Sequence, residues 1–599
     1  MARVGLIAVL LLALLVAMTG IRWGLPSRRA DAYLFGTRPP WSGERLVELK
    51  GRAWQQSRKL GADVDIDPIS TRNLPVDLTA TDQDRAAILV RYRLYTHQPD
   101  ELITLRALAG MRPMMLWLDP KLYQYGGLFI YPVGLLIGLA SACGLLGARA
   151  DLAYFFEHPA DFGSLYVVLR AYSATFGLIG VVACYLIGRR LGRASVGLLA
   201  GVLFVLMPVV ITLSHEGKPH LPGAVLMLLA GLAAMRYVES GRPGRWWTTA
   251  VSCGLASAMV LSAWPVMATM IAAIWQRPCD SPRQTARRLI IGLAVAATVF
   301  LVVNPYLLIN LVKDREVLRS NLGGSVDMYQ MGRLGEGAWT VGALLVEGMG
   351  PVLAAAGAAA LVLLLARRAQ PMLPLVLPMV LVLAQFVCIG AGKPGEYGRF
   401  LLFPAAVLVI AAAWGIASAY RWRRVLGVGL AGIVLATTAW DGYRYLAGFV
   451  RDAGTTGSRN AAAAWLSTRL ADDPYATVGL LREPAPYCVP PVDFDRRRVV
   501  LLPQRPSGKI NDWPDYIVTT ADRPDAMGSA WWAWRYRQTA RFPTNLNAWW
   551  NRPTVISWAD KPVVVFRRRV ESHAPPATQP YNQSRDRQGA VPGSIADRS

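Results

Sequence analysis

The sequence predicts an α-helical multi-pass membrane protein that ends in a small soluble α/β domain, and three observations predict it. Of 599 residues, 53% are hydrophobic and only 17% charged, too apolar a balance for a water-soluble chain of this length. Apolar runs near the ~20 residues that cross a bilayer recur up to about residue 441, separated by short basic clusters. Beyond that point the composition becomes that of a soluble domain.

The first span, residues 4–22, follows Met1-Ala-Arg3; it is long and no pair of small residues marks a cleavage site, so it reads as retained rather than as a signal peptide. Gly188-Arg-Arg-Leu-Gly-Arg193, Arg236 to Arg245, Arg277 to Arg288, Arg367-Arg368 and Arg421-Trp-Arg-Arg424 read as cytoplasmic. Between them the runs 165–187, 195–213, 221–237, 247–263, 265–276, 288–310, 341–366, 371–390, 400–420 and 425–441 bring the expected crossings to eleven, with 247–276 broken at Trp264-Pro265. The run 127–147 reads as an interfacial or re-entrant helix, because a crossing there would put every later basic loop on the wrong side. With the N-terminus inside, the loop 23–126, the turns 214–220 and 391–399, the loop 311–340 and everything after 441 fall outside, as expected of a protein of the bacterial inner (plasma) membrane.

The net charge of +24 follows from this topology, since the arginines gather at the ends of apolar runs; no nucleic-acid partner is implied. Cys143, Cys184, Cys253 and Cys388 lie in apolar runs, Cys279 in a basic loop and Cys488 alone in the tail, a pattern without a disulfide framework or a CxxC metal pair. In the last domain, 442–570, a helix is expected over Ser458 to Leu470 and strands over 475–481, 498–502, 515–519 and 562–566. Its tryptophans, in Ala530-Trp-Trp-Ala-Trp534 and Ala548-Trp-Trp550, can serve as core, as membrane-surface anchors or as a sugar-stacking platform. The tail 571–599, rich in Pro, Gln and Arg, has the composition of a disordered segment.

Four polar clusters converge on the outer face: Gln98-Pro-Asp-Glu101 with Arg91, Arg93 and His97; Leu118-Asp-Pro-Lys-Leu-Tyr-Gln-Tyr125; Ser214-His-Glu-Gly-Lys-Pro-His220; and Gly392-Lys-Pro-Gly-Glu-Tyr-Gly-Arg399. Pro99 fixes a helix entry, and Asp100 sits where a helix N-terminus favours an anion, so on local grounds the acidic pair is a cap. Several charged clusters together outside, against the positive-inside bias, suggest an anion site.

Pro99-Asp-Glu101, Asp119-Pro-Lys-Leu-Tyr-Gln-Tyr125 leading into an apolar helix, Arg170-to-Arg190 ending in Gly-Arg-Arg-Leu-Gly, and Ser214-to-His220 resemble successive landmarks of the protein-mannosyltransferase and aminoarabinose-transferase group, C-type (GT-C) integral-membrane glycosyltransferases that use polyprenyl-phosphate sugars. The resemblance runs from residue 1 to about 441. Its most specific features are Pro99-Asp-Glu101 in a long first outer loop and the Ser214-to-His220 turn. It implies a GT-C-like fold in which Asp100 is the base that deprotonates the acceptor, with Glu101 beside it and Asp31 as the fallback. Lys121, Lys218 and Arg399 are the implied holders of the donor phosphate, and Tyr123, Tyr125, His215, Glu216 and His220 the implied substrate contacts.

The chemistry asks for the same residue types. Sugar transfer from a polyprenyl phosphate needs a carboxylate near the acceptor hydroxyl, cations for the departing phosphate and an apolar groove for the chain. It needs no nucleotide-binding glycine loop, and none is evident. The expected partners are the lipid-linked donor, the bilayer and an acceptor that is a protein, lipid or polysaccharide. No cofactor is expected, although the Asp/Glu pair can ligate a divalent cation. Two rivals stand beside this reading: a glycolipid transporter or flippase, disfavoured by the scarcity of acidic residues inside spans and the lack of an internal repeat, and a non-catalytic glycolipid-binding envelope protein.

Overall fold

The structure, a computed structural model, describes residues 2–59, 74–328, 331–367, 372–389, 394–503, 512–520, 532–542 and 556–569. Apolar runs without a helix breaker become long helices: Pro159–Leu191, His220–Ser240, Pro282–Val303, Gly398–Trp422 and Arg424–Ala453 are each long and apolar enough to cross a membrane. Proline breaks others that the sequence joins, because it removes a backbone donor and clashes with the preceding turn. At Pro208 the expected 195–213 crossing divides into Ala194–Leu206 and Pro208–Ser214, bent by 64°.

At Pro351 the expected 341–366 crossing divides into Leu334–Met349 and Pro351–Ala366, which meet at 111°. Gly350 between them has φ +82°, a left-handed backbone that a side chain resists. Against eleven expected crossings, five helices among the described residues qualify singly, or seven when each bent pair counts as one. Shorter apolar helices, including Ala2–Met18 and Leu373–Ile389, make up part of the difference.

The Gly127–Ala142 helix runs beside the first third of the Pro159–Leu191 helix. Near its start the Tyr172 hydroxyl donates to the Leu128 carbonyl at 2.8 Å, and its last turns line one cavity with Ala160 and Ser164. Leu135 and Leu139 of this helix are exposed, and it is one of the shorter apolar helices among the described residues.

The chain leaves the helical body along the Arg424–Ala453 helix, so the boundary read at residue 441 falls inside a continuous helix. Beyond it the Ser458–Ala471 helix packs on a six-stranded sheet of order β1-β3-β2-β4-β6-β5. The strands are β1 (Val76–Asp77), β2 (Val478–Leu480), β3 (Val499–Leu501), β4 (Tyr516–Thr520), β5 (Tyr536–Phe542) and β6 (Val563–Arg568). Four of them, β2, β3, β4 and β6, fall where the sequence places strands. The other two carry no sequence signal: β1 is two residues long, and β5 is a polar edge strand.

Strand β1 belongs to the first loop, yet it pairs antiparallel with β3, Val76 opposite Leu501. Tyr92 adds a hydrogen bond to the Val489 carbonyl at 2.9 Å. The first loop and the C-terminal domain therefore share one sheet and lie on one side of the helical body. Trp532 is buried against Tyr536 and Phe566 and belongs to the core, while Trp534 is half exposed beneath Arg535. Trp549, Trp550 and the tail 571–599 lie outside the described residues.

Candidate active site

Asp100 stands at the N-cap position of the Glu101–Ala109 helix, but its carboxylate does not cap that helix. Instead Oδ2 accepts from the Lys218 ammonium at 2.8 Å and from the Arg399 guanidinium. The backbone amide of Asp100 donates to Gln98 Oε1 at 2.9 Å, which fixes the turn that aims the side chain. Lys218 comes from the Ser214-to-His220 turn, where Ser173 donates to its carbonyl at 3.0 Å. Gly217 lets this turn press against the neighbouring helix, since an added Cβ would stand 2.6 Å from Leu169 Cβ. Arg399 comes from the 3-10 turn Pro394–Leu401.

Glu216 is buried, its Oε2 3.6 Å from the Lys218 ammonium. The four charges border a cleft of about 30 Å³ that Gln98, Pro99 and Leu213 also line, together with Ile556 and Trp558 from the C-terminal domain. Burial pushes the Asp100 carboxyl up, but Lys218 and Arg399 outweigh it and hold the group well below the usual carboxylate range. For Glu216 burial wins over the opposing Lys218, so its carboxyl lies above its ordinary value.

Glu101 has a different role from its neighbour. Its carboxylate is fully buried and forked by Arg170, Nε to Oε1 at 2.8 Å and Nη2 to Oε2 at 2.7 Å. The Gly217 amide and the Thr96 hydroxyl also donate to it, each at 2.7 Å. Arg170 spends its remaining nitrogen on the Ile21 and Trp23 carbonyls, both at 2.7 Å. With every lone pair engaged, the pair pins the first helix's exit, the Asp100 turn and the Lys218 turn together.

The remaining candidates divide by position. Tyr125 is buried with its ring 5.9 Å from His220, whose ring lies 5.0 Å from Phe400, so these three form the wall behind Arg399. His215 is buried with its ring nitrogens 2.7 Å and 2.8 Å from the Ile211 and Thr19 carbonyls, stacked on Phe449, and burial lowers its pKa to about 4; it holds the turn. Tyr123 lies in a separate network, donating to Asp119 at 2.9 Å, while Asn310 donates to the other Asp119 oxygen at 2.7 Å. Lys121 is exposed on a turn at φ +50° and does not line the cleft that Lys218 and Arg399 border. Asp31 is paired with Arg93 at 2.6 Å, away from the cleft. Among the described residues no three His, Cys, Asp or Glu side chains gather as a metal-ligand set.

Residues 161–309 match the family of dolichyl-phosphate-mannose-protein mannosyltransferases. The matched stretch holds Arg170 and the whole Ser214-to-His220 turn, and lies between Asp100 and Arg399 in the chain. It points to the same GT-C group of polyprenyl-phosphate-dependent glycosyltransferases as the landmarks do. Among curated proteins none matches the sequence. Among solved structures the chain is similar to ArnT from Cupriavidus metallidurans bound to undecaprenyl phosphate, at 13% identity and a TM-score of 0.43, over 80% of this chain and 96% of that one. It is also similar to the oligosaccharyltransferase AglB from Archaeoglobus fulgidus, in complex with an inhibitory peptide and a dolichol-phosphate, at 13% identity and 0.39, over 82% and 64%. The Pmt1-Pmt2 protein O-mannosyltransferase complex of S. cerevisiae, bound to its sugar donor, follows at 15% and 0.26, over 47% and 35%.

Two contributors escaped the sequence reading. Trp558 and Ile556 arrive from more than a hundred residues beyond the last apolar run, and nothing local marks them. Arg170 was in view as the start of the Arg170-to-Arg190 landmark, though without a role, and a charged residue inside an apolar helix is a functional or structural anchor by default.

Proposed function

We propose that this protein transfers a sugar from a polyprenyl-phosphate donor to an acceptor hydroxyl at the outer face of the membrane, with inversion at the anomeric carbon. Asp100 is the general base, and Lys218 and Arg399 hold the donor phosphate. The observation that carries the reading is the convergence of both cations on one oxygen of Asp100. A carboxylate so paired is a weak base. A donor phosphodiester brings a negative charge on two non-bridging oxygens, so it can engage both cations at once and competes for them, and it gains a further charge as the bond to the sugar breaks. As they turn to the phosphate, Asp100 loses the partners that depress its basicity and becomes able to take the acceptor proton. The base is thus switched on by the substrate whose bond is to break.

In the transfer step the acceptor oxygen loses its proton to Asp100 and forms the new bond to the anomeric carbon. The bond from that carbon to the phosphate oxygen breaks on the opposite face, and the electron pair leaves with the polyprenyl phosphate. Lys218 and Arg399 stabilise the charge that develops there. Glu216 borders the cleft as a buried carboxyl and accepts hydrogen bonds from sugar hydroxyls. Trp558 closes the outer side and offers an aromatic face to the sugar ring. Lys121, on its exposed turn, draws the phosphate in from the membrane surface.

The test is radiolabel transfer in membranes expressing the protein, with polyprenyl-phosphate hexose as donor. Label appearing in an acceptor fraction, and lost with Asp100→Asn, supports the reading; equal transfer by both proteins overturns it.

A further inference from the structure

A second cavity, of about 900 Å³, lies on the far side of the His97-to-Asp100 segment from the cleft. Its two walls differ in chemistry. One is apolar, built by Leu136 and Ala140 of the interfacial helix and by Val167 and Ala171 of the Pro159–Leu191 helix. The opposite wall carries Arg22, Arg29, His97 and Arg459 against one acid, Asp452.

That acid is neutralised from within the protein. Asp452 Oδ2 faces His97 Nδ1 at 2.9 Å and Arg459 Nη1 at 3.2 Å. Arg29 donates to the Ala453 and Gly454 carbonyls, at 3.1 Å and 3.3 Å, and these leave its charge uncompensated. Arg22 is exposed and makes no hydrogen bond or ion pair among the described residues. Arg459 is almost fully buried, yet its Nε has no partner. The wall therefore carries an excess of positive charge facing an apolar surface, the pattern that an anion on an apolar stem satisfies.

His97 adds selectivity. Because its Nδ1–H is committed to the Asp452 carboxylate, Nε2 is the lone-pair nitrogen of the neutral ring. Both hydrogen-bond contacts of the ring among the described residues, to Asp452 at 2.9 Å and Arg459 at 3.4 Å, are at Nδ1, and none is at Nε2. Burial and Arg459 hold the ring below the ordinary imidazole value despite Asp452, which keeps Nε2 an acceptor. An acceptor beside a cluster of cations serves a group that is anionic and also carries a hydroxyl.

We propose that this cavity binds one membrane phospholipid whose head group combines a phosphate with a free hydroxyl, as a phosphoglycerol head does. Arg22 and Arg29 hold the phosphate, His97 Nε2 accepts from the hydroxyl, and an acyl chain lies along Ala140 and Ala171. The exposed Leu135 and Leu139 place the interfacial helix at the lipid boundary, so the occupant enters sideways from the bilayer. The site is independent of the transfer chemistry, because Asp100, Lys218 and Arg399 do not line it.

The full-length protein, purified in neutral detergent, is mixed with phosphatidylglycerol, phosphatidic acid or phosphatidylcholine, and the retained lipid is counted by native mass spectrometry. Phosphatidylglycerol is expected to be retained about tenfold over phosphatidylcholine and several-fold over phosphatidic acid. Arg22→Gln, a surface change that leaves folding alone, should erase the first preference, and Ala171→Trp, which fills the cavity, should remove retention. Asp100→Asn should retain the lipid whether or not it transfers sugar. Equal retention by wild type, Arg22→Gln and Ala171→Trp would mean annular lipid only and overturns the proposal. Soluble glycerol phosphate that displaces the lipid at equal concentration would make this an ion site and overturns the lipid assignment.

Discussion

The Lys218 ammonium lies 2.8 Å from Asp100 Oδ2, the same oxygen that Arg399 engages from a turn far along the chain. Residues separated by 118 and 299 positions meet on one atom. On the proposed reading these cations hold the base at rest, and removing its carboxylate has two separable consequences. Asp100→Asn should lower transfer about 10²–10⁴-fold, the usual loss for a positioned base. The same change frees both cations, so binding of a polyprenyl phosphate should be unchanged or tighter. Rate and affinity measured on one purified variant decide this; near-wild-type turnover, or loss of binding in parallel with rate, sinks the assignment.

The pairing also fixes a pH response. The folded-state pKa of Asp100 lies below its unfolded value of 3.8. The stability it contributes is therefore fully present above that value and is lost only as pH falls through the folded pKa. In kcat/KM, which reports the free enzyme, Asp100 should leave no acid limb between about pH 5 and 8. A limb in that window that disappears with Asp100→Asn would show a carboxyl far less paired than the geometry requires.

Lys218→Gln and Arg399→Gln should each raise the donor KM. A hydrogen bond to a charged group contributes about 1.5–3 kcal/mol, which corresponds to roughly 10- to 100-fold. Lys121→Gln, on its exposed turn, should change KM less and lose its effect at high salt, because an exposed charge is screened. Initial rates across donor concentrations at two ionic strengths separate the cases; a larger loss at Lys121 than at Lys218 would reassign the phosphate site.

Pairing of β1 with β3 constrains topology, because strands of one sheet cannot lie on opposite sides of a membrane. The loop 23–126 and the chain after Ala453 must share a side, which an odd number of crossings between them cannot give. A C-terminal alkaline phosphatase fusion is expected to be active, and a reporter placed in the first loop should agree with it. Opposite readings from the two fusions would break the sheet as described here.

What was legible in the sequence follows from the range of the interactions. Hydropathy and arginine placement are local, and they gave the apolar helices and the common side of the acidic loop and the C-terminal domain. Breaks at Pro208 and Pro351 were visible as residues but not as angles, since a proline in an apolar run can kink a helix or end it. Asp100, Lys218 and Arg399 were named as separate candidates, and the structure joins them. Lys121 and Tyr123 were named with equal reason, yet one faces solvent and the other is tied to Asp119. The identity of a residue shows its chemistry, whereas its partner is set by contacts hundreds of positions away. β1 and Trp558 show the same limit, for neither has a local pattern that announces a long-range role.

Glu101 tests whether adjacent carboxylates have been told apart. A carboxylate with no exposed surface, forked by Arg170 and accepting two further donors, holds structure rather than moving protons. Removing one partner from a buried ion pair typically costs about 3–5 kcal/mol, because the other charge is left without compensation. Glu101→Gln and Arg170→Gln should therefore both lower the thermal unfolding temperature of the detergent-solubilised protein, and by more than Asp100→Asn, whose carboxylate is only part-buried. The double variant Glu101→Gln/Arg170→Met, which leaves neither charge stranded, should recover part of the loss. Transfer activity should track the folded fraction across the Glu101 and Arg170 variants. A Glu101→Gln protein that melts like wild type yet transfers no sugar would move the base by one residue, and with it the meaning of the Lys218 contact.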